Sequence, residues 1–177
     1  MSITASEISS HLVLGGARSG KSSYAERLVT RFPAPYIYLA TAEVSDEEMR
    51  ERVLKHQEHR GAEWQTIETP LDLTGTLRDL RLLKRAVLLD CLTLWLSNLL
   101  LHGNSMNHET HIDELCSCIQ TLNYPLVIVS NEVGTGIVPE NALARRFRDL
   151  AGFANQRIAA LCSSVTLVVA GIPLKLK

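Results

Sequence analysis

The sequence predicts an α/β protein built on a mostly parallel β-sheet with helices on both faces. Three observations lead there. Short β-rich runs at His11–Gly15, Tyr36–Thr41, Ala86–Asp90, Leu126–Ser130 and Val165–Ala170 alternate with segments of helical period. Several of these runs are continuously apolar, as strands become when helices cover both faces. A glycine-rich octapeptide, Gly15-Gly16-Ala17-Arg18-Ser19-Gly20-Lys21-Ser22, joins the first strand to the first helix. Strand–helix–strand succession of this kind needs crossover connections, and crossovers give parallel pairing.

The elements follow in chain order. Residues 1–10 lack the basic start and apolar core of a signal peptide and read as a frayed extension. Residues 11–177 contain no linker or repeat and read as one domain. The first helix should run from about Lys21 to Phe32, with Tyr24, Ala25, Leu28 and Phe32 on one face, until Pro33 and Pro35 end it. A second begins near Ser45, where Ser45 and Glu48 have capping-box spacing, and runs to about Arg60 before Gly61. A third covers Trp95–His102 and a fourth Ile112–Asn123. Between them His102–His111 reads as a polar loop, whose His102, His108 and His111 have no clear ligand spacing. The last helix starts after Pro139, placed in its first turn, and carries the stripe Leu143, Phe147, Leu150, Ala154, Ile158 and Leu161.

Composition narrows the function. A chain of 177 residues, 46% apolar and 21% charged, is that of a soluble globular domain able to bury roughly 70% of its unfolded surface. A net charge of −1 supplies no bulk field for nucleic acid or an anionic membrane, so phosphate recognition has to be local. The apolar stretch Ala86–Leu101 is broken by Asp90, Ser97 and Asn98, which argues against a membrane span. Cys91, Cys116, Cys118 and Cys162 lack zinc-site spacing and read as reduced thiols of a cytoplasmic protein.

The octapeptide fits G-x-x-x-x-G-K-[ST] in full, with an apolar strand before it and an amphipathic helix after it. In such a loop successive N–H groups point inward at phosphate oxygens, and the helix N-terminus adds partial positive charge. Lys21 is expected to reach the β- and γ-phosphates and Ser22 to ligate Mg²⁺. Arg18 either touches phosphate or is solvated. A second carboxylate for the metal is expected at the end of another strand, and Val87-Leu88-Leu89-Asp90 delivers Asp90 there. The N-K-x-D guanine-reading motif of regulatory GTPases is missing, Asn131-Glu132-Val133-Gly134 being the nearest approach.

Further stretches are more specific. They are Asp46-Glu47-Glu48-Met49 with Arg52, His56, Arg60 and Trp64, then Asp90-Cys91-Leu92-Thr93 with Ser97-Asn98-Leu99. Ser130–Gly134, Gly136–Asn141, Arg146–Asp149 and Asn155-Gln156-Arg157 complete the set. Together with GGARSGKS they resemble the bifunctional adenosylcobinamide kinase / adenosylcobinamide-phosphate guanylyltransferase family of cobalamin biosynthesis, over about Leu12 to Lys177. The resemblance implies a P-loop NTPase-type, RecA-like fold and two reactions. ATP or GTP phosphorylates the aminopropanol hydroxyl of adenosylcobinamide. GTP then transfers GMP to adenosylcobinamide phosphate, giving adenosylcobinamide-GDP and pyrophosphate. It also implies a guanylylated histidine at His56, a homotrimer, and GTP contacts at Gly16, Ala17, Arg18, Ser19, Gly20, Lys21, Ser22, Ser23, Ala42, Glu43, Val44, Gln57, Glu58, His59, Arg60, Glu68 and Asp90.

Elementary chemistry is compatible with such a step. Neutral imidazole is a competent nucleophile toward an α-phosphorus. If Ser45–Arg60 is helical, Arg52 and Arg60 each stand four residues from His56, able to hold phosphate oxygens. Spacing alone does not choose His56 over His59. Asn131-Glu132 either orients the corrinoid hydroxyl or a metal-bound water, or caps a strand. Arg145, Arg146 and Arg148 read as the solvated face of the last helix. The competing functions are a simple P-loop small-molecule kinase and a nucleotide-dependent assembly subunit.

Overall fold

The computed structural model describes residues 9–43, 61–102 and 108–177. The expected helix Ser45–Arg60, and with it Val44, His56, Gln57, Glu58, His59 and Arg60, lies outside the described residues.

Seven strands form a single sheet in the order β3-β2-β4-β5-β1-β6-β7. They are β1 (Ser10–Gly15), β2 (Tyr36–Ala40), β3 (Trp64–Glu68), β4 (Val87–Asp90), β5 (Leu126–Asn131), β6 (Ser164–Val169) and β7 (Ile172–Lys175). Every pairing is parallel except the β6–β7 hairpin. The helices are α1 (Lys21–Val29), α2 (Leu73–Asp79) with a 3₁₀ turn at Leu80–Leu82, α3 (Leu92–His102), α4 (His108–Gln120) and α5 (Ala142–Leu161).

Side chains on successive strand residues enter opposite cores, as the pleat requires. On one face Val13, Tyr36, Tyr38, Leu88 and Val127 pack against Ala25, Leu28 and Val29 of α1. On the other, Leu12, Ile37, Leu39, Val87, Leu89 and Ile128 meet α2 to α5 through Leu73, Leu77, Trp95, Leu96, Ile112 and Ala154. Helices therefore cover both faces, and the continuously apolar β2 is buried throughout.

Several expectations are corrected. Ser10 already belongs to β1, and the Ser9 carbonyl accepts from Leu126 N–H at 2.9 Å, so the sheet claims the end of the expected frayed extension. Helix α1 stops at Val29, short of Phe32. His108–His111 are helical, not loop, because α4 starts four residues before Ile112. Pro139 lies outside α5, whose N-cap is Asn141, its side-chain carbonyl accepting from Ala144 N–H at 3.0 Å. The buried line of α5 is Ala151, Ala154, Asn155 and Ile158, and Leu143 stays exposed. Strands β3 and β7 and helix α2 are additions to the sequence reading.

Candidate active site

Parallel pairing sends the C-terminal ends of β1 to β6 to one edge of the sheet. In spatial order Glu68, Ala40, Asp90, Asn131 and Gly15 stand along it, fixed by the registers Ala40↔Glu68, Ala40↔Asp90, Asp90↔Val129 and Gly15↔Asn131. Ligands of open parallel sheets bind outside this edge.

The glycine-rich loop leaves β1 at Gly15 and enters α1 through Gly20, whose φ of 89° lies in the left-handed region that glycine adopts freely. Gly20 supplies no side-chain cap and the first turn of α1 holds no acidic residue, so its first N–H groups remain available to an anion. Arg18 also takes a left-handed φ, 55°. Three carbonyls of the loop find backbone partners. Glu132 N–H donates to Gly15 O at 3.1 Å, Ser19 N–H to Gly16 O at 3.3 Å, and Gly171 N–H to Ser19 O at 2.8 Å.

Lys21 lies across the loop, its Nζ donating to Gly16 O at 3.1 Å. The Ser19 hydroxyl is buried with no partner among the described residues. It is closed off from solvent against Gly15, so the donors open to an oxyanion are the backbone N–H groups at the start of α1. Ser22 stands in the first turn of α1, and Ser23 is exposed.

Asp90 ends β4 half-buried. β4 is two strands from β1 and Asp90 is level with Val13 through Val129, so the Asp90 and Val13 Cα positions stand about 10 Å apart at ordinary strand spacing. Its neighbour Cys91 donates its N–H to Thr41 Oγ1 at 2.8 Å, and the Thr41 hydroxyl donates to Cys91 O at 2.7 Å. Burial pushes the Cys91 thiol up to about 11, with the Asp90 charge adding to the effect, so it stays a neutral thiol. Asn98 of α3 donates to the carbonyls of Thr41 and Pro70, at 2.8 and 3.0 Å, bracing the segments after β2 and β3. Ala42 and Glu43 follow on the same edge, with Glu43 paired to His102 at 2.9 Å. Glu68 is exposed at the end of β3, four strand spacings and about 19 Å from the loop. It cannot share a phosphate group with Lys21.

Asn131 and Glu132 serve as braces at the end of β5. Asn131 Nδ2 donates to Thr93 Oγ1 at 2.8 Å, and the Glu132 carboxylate accepts from Gly134 N–H at 2.7 Å. Behind them Ser130 Oγ donates to Asn155 Oδ1 at 2.7 Å, and Asn155 Nδ2 to Asn131 O at 3.2 Å. Arg145 donates to the carbonyls of Pro139 and Glu140, and Arg148 pairs with Asp149. Sequence reasoning missed Gly171, and it gave Thr93 and Asn155 no role beyond their place in the family-like stretches. A Ser130/Asn155 pairing leaves no local signal, because the partners meet only when α5 packs on β5.

The sequence model of the family described as cobinamide kinase / cobinamide phosphate guanyltransferase matches residues 11–176. The chain belongs to this family. Among curated relatives it is 46% identical to the bifunctional adenosylcobalamin biosynthesis protein CobP of Pseudomonas aeruginosa, over 94% of this chain and 96% of that one. It is 42% identical to the bifunctional adenosylcobalamin biosynthesis protein CobU of Salmonella typhimurium and 38% to that of Escherichia coli, in each case over 94% of this chain and 98% of the relative. Among solved structures it resembles protein PH0250 of Pyrococcus horikoshii (TM-score 0.58, 11% identity, 96% of this chain and 86% of that one). It also resembles the RadB recombinase (TM-score 0.53, 13% identity, 90% and 73%). Those two likenesses concern the fold alone, which is of the RecA-like P-loop type.

Proposed function

We propose that this chain phosphorylates adenosylcobinamide with ATP or GTP, then transfers GMP from GTP to adenosylcobinamide phosphate, releasing pyrophosphate. The observation that carries the reading is the family match across the chain, joined to a glycine-rich loop that enters α1 with no side-chain cap on its first N–H groups. The loop N–H groups and Lys21 hold the triphosphate. Ser22 and Asp90 are oxygen donors suited to Mg²⁺. Among the described residues no cluster of three or more His, Cys, Asp or Glu gathers, so such an ion would complete its shell with phosphate oxygens and water. When bound, it would offset charge on the transferring phosphoryl group. Ala42, Glu43 and Glu68 lie farther along the edge, positioned for parts of the nucleotide beyond the phosphates. Val44, Gln57, Glu58, His59 and Arg60 are assigned to GTP by the family resemblance.

The transferase step is assigned to His56. Its ring nitrogen attacks the α-phosphorus and pyrophosphate leaves; the phosphate of adenosylcobinamide phosphate then displaces the imidazole from the same phosphorus. Residues 11–177 act as one catalytic unit, in a homotrimer, in the cytoplasm. Among the described residues no helix is long and apolar enough to cross a membrane.

The test is incubation with Mg²⁺ and GTP labelled at the α-phosphorus, followed by denaturing separation. Label is expected to remain on the protein as an acid-labile, base-stable adduct that His56→Ala abolishes. Label surviving in that variant would move the role to His59 or elsewhere, and active wild type without an adduct would remove the covalent route. Lys21→Ala should cripple both reactions; a kinase step that persists unchanged would overturn the phosphate-loop assignment. Light scattering that gives a monomer would refute the trimer.

A further inference from the structure

We infer that the tight turn between β6 and β7, and Gly171 in particular, is a positioning element for triphosphate binding. The inference rests on the proposed role of the loop at Gly15–Ser22 and assigns a second segment, far off in sequence, to the same site.

The turn is a two-residue hairpin. Val169 pairs with Ile172, leaving Ala170 and Gly171 as the central residues, with φ of 50° and 80°. Positive φ at both positions is the mark of a type I′ turn, for which Asn-Gly and Gly-Gly are the favoured pairs. Ala170 is an alanine in a region that L-residues with a Cβ avoid. A backbone outlier of this kind persists where its surroundings hold it in place.

What the turn contacts is the phosphate loop. Gly171 N–H donates to Ser19 O at 2.8 Å. The Gly171 Cα lies 3.2 Å from where a Cβ on Gly20 would stand, so the two backbones are in direct contact. One residue pair deeper, the Val168 carbonyl oxygen would lie 2.6 Å from a Cβ on Gly15. The end of β6 and the turn after it thus back the loop at both of its ends.

The consequence follows from peptide geometry. In a trans peptide the C=O and the following N–H point in opposite directions. A Ser19 carbonyl tied outward to Gly171 therefore aims Gly20 N–H inward, at the space a phosphate oxygen would take. Glu132 N–H does the same for the Gly15–Gly16 peptide through Gly15 O. Without the Gly171 contact, the Ser19–Gly20 peptide is free to flip and one inward donor is lost. Hydrogen bonds to charged acceptors are the strong ones, so losing one donor should weaken triphosphate binding about tenfold or more.

The experiment compares Gly171→Val, Gly171→Asn and Lys21→Ala by titration with a fluorescent GTP analogue and with guanosine, alongside thermal unfolding. A Cβ added at Gly171 meets nothing within 4 Å, so Val acts chiefly through its aversion to positive φ. Asn tolerates the left-handed region and is the conservative rescue. Gly171→Val is expected to bind the GTP analogue about tenfold more weakly with guanosine affinity unchanged, and Gly171→Asn to stay within about threefold of wild type. Should Gly171→Val fail to fold, insertion of one glycine after Gly171 relaxes the turn and moves the N–H away; the same selective loss of triphosphate affinity is expected. Undiminished GTP affinity in the folded turn variant, or equal loss for GTP and guanosine, overturns the inference. Lys21→Ala separates the two levels: if it too binds GTP normally, the phosphate-loop reading itself fails. If it alone loses GTP, only the role of the turn is wrong.

Discussion

Gly15 and Gly16 are neighbours in one motif, yet the structure predicts opposite consequences for adding a methyl group to each. A Cβ on Gly15 would lie 2.4 Å from Ser19 Oγ and 2.6 Å from the Val168 carbonyl oxygen. The hydroxyl could turn away, but Ser19 Cβ would still stand at 3.2 Å, and the Val168 oxygen belongs to a strand paired with β1 on that very residue. Relief requires β1 and β6 to separate where the loop begins. Overpacking of this kind costs about 1–3 kcal/mol, which for a chain of this size lowers Tm by about 2–12 °C. Gly16 has nothing within 4 Å of its added Cβ and is exposed, so Gly16→Ala should cost no more than about 0.5 kcal/mol. Thermal unfolding without nucleotide, followed by far-UV circular dichroism, checks both. A Gly15→Ala protein that melts with wild type, or a Gly16→Ala protein that melts as early as Gly15→Ala, would refute the argument from close approach.

The remaining predictions concern the groups behind the site. Asn155→Ala strands the Ser130 hydroxyl and the Asn131 carbonyl, and should cost about 2–4 kcal/mol in urea unfolding; a loss below 1 kcal/mol, by the same order-of-magnitude scale, would mean water replaces the amide. His11, hydrogen-bonded to Thr166 Oγ1 at 2.8 Å, has its pKa lowered from 6.5, chiefly by burial and then by Arg31 and Lys175. The unfolded chain therefore takes up this proton at a higher pH than the folded chain, so its contribution to stability is present above 6.5 and lost as pH falls through the folded pKa. His108, lowered by burial and by Arg146 and His111, acts in the same direction. Tm measured across this range should fall on acidification, and His11→Gln should reduce the slope; an unchanged slope would remove His11 as a source.

How much of this was legible in the sequence depends on whether the signal is local. The strand, loop and helix from Ser10 to Val29 are contiguous, so composition and spacing reveal the element types and the glycine-rich loop between them. Asp90 is legible for a similar reason, since four apolar residues deliver it to a strand end. The edge strands are harder. Trp64–Glu68 mixes polar and apolar residues on an edge strand, and Ile172–Lys175 is a short exposed strand containing Pro173, which only an edge tolerates. Helix α2 holds Gly75 and two threonines, weak helix formers, and starts because Asp72 accepts from Gly75 N–H at 3.0 Å. Pro139 misled the reading of α5 because Asn141, two residues on, is the stronger cap. The contact between Gly171 and Ser19 has no sequence signature, since it joins two backbones through the sheet order.

On the proposed reading one loop serves two displacements at different phosphorus atoms, and the β-phosphate explains how. When the γ-phosphoryl group goes to the corrinoid alcohol, the bond that breaks leaves its charge on a β-phosphate oxygen. When the α-phosphorus is attacked, pyrophosphate departs and the charge again falls on an oxygen of the former β-phosphate. Donors that grip that group stabilise the leaving charge in both steps. The inward N–H groups and Lys21 are such donors, and none of them need move between reactions. What must differ is the nucleophile and its line of approach: from beyond the γ-phosphate in one case, from beside the α-phosphate in the other. The edge from Gly15 through Asp90 to Glu68 is about 19 Å long, room enough for a triphosphate and its two flanking attack positions. A fixed grip on the middle of the substrate, with separate entrances at its ends, lets one fold perform both transfers.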